Sequence, residues 1–145
     1  MRVFTRITLF ILGLGLSLIV PTGVALAAVV VQERGDTFTA SSNTCNGEYV
    51  ELVGTYQLVV TANPDGTFTY QFRVQAKGTS VPGGNEYVFT LFRKSVFDSS
   101  GGFEIKGDAK EVLVSQGSAP NQLVTFHFDF TVSPPVLSFE TVCVG

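Results

Sequence analysis

Thr67-Phe68-Thr69-Tyr70-Gln71-Phe72-Arg73-Val74-Gln75-Ala76-Lys77 decides the fold class. Phe68, Tyr70, Phe72, Val74 and Ala76 fall on one side, and Thr67, Thr69, Gln71, Arg73, Gln75 and Lys77 on the other. Period two over this length places one face in a core and the other in water, and no helix reproduces it. Gln122 to Ser133 repeats the pattern, with Val124, Phe126, Phe128, Phe130 and Val132 opposite Thr125, His127, Asp129 and Thr131. Both stretches are β-strands.

Working outward, turn signals flank these strands at regular intervals. In Asn63-Pro64-Asp65-Gly66 the proline presets φ and the glycine accepts a positive φ, which makes a hairpin turn. Val81–Asn85, Asp98–Gly102, Gly117–Asn121 and Ser133-Pro134-Pro135 are the other breaks. Strands are therefore expected near 29–34, 37–41, 48–53, 55–62, 67–77, 86–95, 103–106, 110–115, 122–132 and 136–143. Over residues 28–145, Val, Ile, Phe, Tyr and Thr outnumber Ala, Leu, Met, Glu and Lys by 46 to 23, which favours strands throughout. The expected fold is all-β: an antiparallel sandwich, or a small barrel, of about seven to ten strands in one domain over 28–145.

Residues 1–27 are of another kind. Arg2 and Arg6 precede an uncharged, mostly apolar run from Ile7 to Val20, then Pro21, Gly23 and the small residues of Ala25-Leu26-Ala27. This is the three-part form of a secretory signal peptide, with cleavage expected after Ala27. The apolar run is short for a spanning helix, which needs about 20 residues, so no stable membrane insertion is expected after cleavage. The remaining 118 residues carry seven of the nine Lys+Arg and all twelve Asp+Glu, a formal charge of −5. Such a balance lacks the basic footprint of a nucleic-acid binder.

The chain has two cysteines, Cys45 and Cys143. In an oxidising compartment they are expected to form one disulfide between the N- and C-terminal strands. Cys143 shares the phase of Leu137 and Phe139 and so points inward. Closing a loop of this length is credited with about 4–5 kcal/mol by the chain-entropy model.

Chemistry is sparse. His127, the single histidine, shares a face with Asp129 and Thr125, a pairing open to a general base, a ligand contact or a charged guard on a phenylalanine-rich strand. No G-x-S-x-G, His-rich spacing or calcium loop occurs, so neither metal nor cofactor is expected. Asp65, Asp98 and Asp108 lie in or beside glycine-containing turns, and Glu48 and Glu51 fall on opposite faces. Phe92, Phe97 and Phe103 make either an exposed patch or a cover for the open end of the core. Strands of 9–11 alternating residues also occur in membrane barrels, but the cysteine pair and the lack of aromatic girdles argue against one.

Asn43-Thr44-Cys45-Asn46-Gly47-Glu48-Tyr49-Val50-Glu51-Leu52-Val53-Gly54 is similar to the opening N-x-C-x-G-E-x-V-x-L-x-G of a family of small secreted bacterial proteins of uncharacterised activity. The resemblance continues through Gly83-Gly84-Asn85-Glu86-Tyr87, Pro120-Asn121, His127 and Cys143. It implies a disulfide-tied β-sandwich outside the cytoplasm and singles out Glu48 and His127 as polar positions. It implies no activity.

The expected function is therefore a secreted or surface-exposed, non-catalytic protein that binds a partner or serves a structural role. A protein, a glycan or a small apolar molecule would be the partner. Candidate binding residues are His127, Asp129, Glu48, Phe97 and Phe103. Two alternatives stand beside it: a barrel whose inward Phe68, Tyr70, Phe72, Phe126 and Phe128 line an apolar ligand cavity, and an enzyme centred on His127.

Overall fold

The computed structural model describes residues 26–145, so all but the last two residues of the expected signal peptide lie outside the described part. Seven strands follow one another: β1 (Ala28–Asn43), β2 (Glu48–Ala62), β3 (Phe68–Val81), β4 (Glu86–Phe97), β5 (Glu104–Ser115), β6 (Asn121–Asp129) and β7 (Val136–Val144). Each pairs antiparallel with the next, giving one sheet in the order β1-β2-β3-β4-β5-β6-β7. The chain is all-β and antiparallel, as expected, and its seven strands form one sheet, with no second sheet of a sandwich among the described residues. With an odd number of strands, the two edges β1 and β7 run in the same direction.

Several expected breaks are not breaks. Gly35, Gly54 and Gly107 read as boundaries, yet each sits inside a continuous strand, so six expected strands become β1, β2 and β5. The reason is close approach. A Cβ on Gly54 would lie 2.0 Å from the backbone oxygen of Gln75, and one on Gly107 would lie 2.8 Å from the Phe128 ring. Inward positions without a side chain let the sheet bend sharply there. Conversely, β6 stops at Asp129, short of 132, because the Asp129 carboxylate accepts the Thr131 N–H at 2.8 Å and turns the chain.

The bending brings the end of β1 against β5–β7. Cys45 and Cys143 form a disulfide with Cα atoms 5.7 Å apart. Beside it, Asn43 Nδ2 donates to the Pro120 carbonyl at 2.7 Å, Thr44 N–H to Gln122 Oε1 at 2.5 Å, and Ser41 Oγ to Glu111 Oε1 at 2.5 Å. At this closed end Val50, Leu52, Val74, Ala76, Tyr87, Phe89 and Leu113 pack as the core. Leu52 and Leu113 are wholly buried, and each such side chain stabilises the fold by about 1.5–3 kcal/mol.

The other end splays. Register puts Phe126 opposite Phe139 and Phe128 opposite Leu137 on the inner face. Yet Leu137 is 68% and Phe139 69% exposed, because no ladder joins β7 to β1 among the described residues. The molecule is a cup, shut and solid at the disulfide end and open along the β1–β7 seam.

Candidate functional site

At the closed end, residues of the β1–β2 and β3–β4 connections meet in one polar cap. Glu48 Oε2 accepts the Tyr87 hydroxyl at 2.6 Å, and its Oε1 accepts Asn85 Nδ2 at 2.5 Å. Asn43 and Asn46 donate to the same Tyr87 oxygen at 3.3 and 3.2 Å. The hydrogen bond from Tyr87 holds the Glu48 carboxyl below its ordinary range, and burial with the Glu48 hydrogen bond pushes the Tyr87 phenol up. Tyr87 is buried, 1% exposed, while Glu48 is half-buried. The cap ties three connections together.

His127 lies on the outer face of β6. Its Nδ1 is 2.6 Å from Asp108 Oδ1 on β5, so Asp108 lies mid-strand and outside any turn. Asp129, its expected companion, is committed elsewhere, accepting the N–H and hydroxyl of Thr131, and this holds its carboxyl below the ordinary range. Across the next ladder stands Ser138, so carboxylate, imidazole and hydroxyl occupy one row, the order used by nucleophilic triads. However, no hydrogen bond joins His127 to Ser138 among the described residues. The His127 and Asp108 side chains are 45% and 67% exposed, on open sheet that excludes no water.

The three phenylalanines do not gather. Phe92 lies on the outer face with the Arg73 guanidinium 5.7 Å above its ring. Phe97 turns inward, 4.4 Å from Tyr70 between centroids, and covers the open end of the core. Phe103 is 59% exposed in the β4–β5 turn. At the open end Val31, Leu58, Val60, Phe68 and Tyr70 line an apolar cleft of about 440 Å³. The inward Phe68 and Tyr70 thus reach a hollow, while Phe126 and Phe128 stack on each other at 5.5 Å away from it.

Sequence reading missed a second polar surface, because it is assembled by register. Arg34, Gln57 and Arg73 stand in one cross-strand row of the outer face, and Asp36, Thr55 and Gln75 in the next. Together they line a hollow of about 440 Å³. Thr55 and Gln75 pass into a second hollow of about 410 Å³ with Val53, Lys77 and Thr90. Gln57 and Arg73 pass into a third of about 220 Å³ with Phe92. Shared walls make these one elongated groove over β1–β4. No group of three His, Cys, Asp or Glu side chains fit to hold a metal ion occurs among the described residues.

Comparison of the chain with protein families, with curated proteins and with solved structures finds no match.

Proposed function

We propose that the chain is an exported, non-catalytic binding module whose working surface is the outer groove over β1–β4. The observation that carries this reading is the row Arg34-Gln57-Arg73, in which two guanidinium groups flank an amide. Among the described residues neither arginine belongs to an ion pair. Elsewhere the polar side chains with chemical promise are engaged: Glu48 by Tyr87 and Asn85, Asp129 by Thr131, His127 by Asp108. Export is supported by the basic start, apolar run and small-residue end of residues 1–27, and by the disulfide, a bond that persists in oxidising compartments. A signal peptide ending at Ala27 and release to the envelope or medium belong to this reading.

A test is a panel of soluble glycans, acidic and neutral, and fatty acids, together with generic ester, glycoside and phosphoester substrates. The expected result is saturable binding of a glycan without turnover. Turnover that His127→Gln abolishes would overturn the non-catalytic reading.

One observation favours a second reading, in which the cup holds a small apolar molecule. The open-end cleft is lined by Val31, Leu58, Val60, Phe68 and Tyr70, and Leu137 and Phe139 stand uncovered on the inner face of β7. Saturable fatty-acid binding lost in a Tyr70→Ser variant would support it.

A further inference from the structure

We infer that the groove over β1–β4 takes a linear acidic glycan, one bearing carboxylates at intervals along a hydroxyl-rich chain. The inference rests on the reading of the groove as the working surface and names its ligand class.

Charge comes first. The chain is acidic overall, yet Arg34 and Arg73 face the groove against the single carboxylate of Asp36, and Lys77 continues the cationic side into the second hollow. A guanidinium presents a planar fork of donors that matches a carboxylate with two parallel hydrogen bonds. Arg34 and Arg73 are separated by β2, two strand spacings or about 10 Å. That spacing is between backbones, and it leaves room for each guanidinium to hold its own carboxylate on a chain with spaced charges. The same sparseness disfavours a nucleic acid, whose duplex carries a charge about every 1.7 Å along its axis.

The intervening groups fit hydroxyls. Gln57 and Gln75 each offer both donors and acceptors, and Thr55 offers a hydroxyl in the second row. Phe92 gives an apolar floor, with Arg73 above its ring. A peptide strand would gain most of its affinity from main-chain hydrogen bonds at a sheet edge. In the middle of β2 and β3 those groups are already paired to neighbouring strands, so only side chains are free to read a ligand.

The probe is polygalacturonate, with dextran as the neutral polymer and poly-glutamate as the acidic peptide, each titrated at low salt against the secreted chain with its disulfide intact. Removing both groove charges with Arg34→Gln/Arg73→Gln is expected to weaken polygalacturonate binding at least tenfold. Arg93→Gln/Lys106→Gln removes the same charge outside the groove, Arg93 standing on the opposite face where it pairs with Glu104, and is expected to change it less than threefold. Matching melting curves show that both variants fold. Equal weakening by the two pairs, or tighter binding of poly-glutamate than of polygalacturonate, would overturn the inference. If the native chain binds dextran as well as polygalacturonate and the arginine pair matters for both, the acidic class is wrong while the groove stands. If the native chain binds no glycan of either kind, inference and groove reading fall together.

Discussion

The Tyr87 hydroxyl donates to Glu48 Oε2 across 2.6 Å, joining the start of β2 to the start of β4 over a sequence separation of 39 residues. With Asn85 on the other carboxylate oxygen, this bond helps seal the closed end. The Glu48 carboxyl is held below its ordinary value of 4.5, chiefly by Tyr87. A depressed carboxyl stabilises the fold above its unfolded pKa and loses that contribution as pH falls through the folded one. Glu48→Gln should therefore lower the melting temperature most near pH 7, with the gap to the native chain narrowing toward pH 3. A gap that stays constant across that range would mean that ionisation of Glu48 plays no part.

The disulfide spans 98 residues of sequence. Loop closure on that scale stabilises by about 4–5 kcal/mol in the chain-entropy model. Replacing Cys45 and Cys143 together by Ala should lower the melting temperature by on the order of 15 °C. A fall below about 3 °C would show that the hydrogen bonds of Asn43, Thr44 and Ser41 hold the closed end without it.

Gly54 faces the interior where β2 bends, and a methyl group there would meet the backbone oxygen of Gln75 and the Cα of Ala76 at 2.0 and 2.5 Å. Backbone cannot rotate aside as a long side chain does. Gly54→Ala should cost about 3 kcal/mol or prevent folding, read from the urea midpoint. An unchanged midpoint would show that the bend does not need the close approach.

What was legible in the sequence follows from locality. Alternation in 67–77 and 122–129 placed Phe72 inside and His127 outside, because the strand period of two is written in consecutive residues. The turn at Asn63–Gly66 was legible for the same reason: Gly66 has φ 85° and donates to the Asn63 carbonyl at 3.0 Å. The cysteine pairing was legible because it had no rival. Gly35, Gly54 and Gly107 misled, since a glycine at a turn and a glycine at a tight crossing look alike without the neighbour that crowds it. Asp108 opposite His127, and Arg34 in row with Arg73, depend on cross-strand register, which a one-residue slip would reverse.

His127 and Asp108 form an exposed pair, and such pairs contribute about 0–1 kcal/mol. His127→Gln should leave the melting temperature within about 3 °C of the native value and leave glycan binding unchanged. A loss of binding without a loss of stability would place the ligand on β5–β7 instead of β1–β4.

The most direct test of the binding account is to map where a bound glycan touches the native chain. With ¹⁵N-labelled protein and polygalacturonate, backbone shifts are expected at Gln57, Arg73 and Gln75, with Leu137 and Phe139 unmoved. Shifts confined to Leu137, Phe139 and the inner face of β6 would contradict it and move the working surface into the cup.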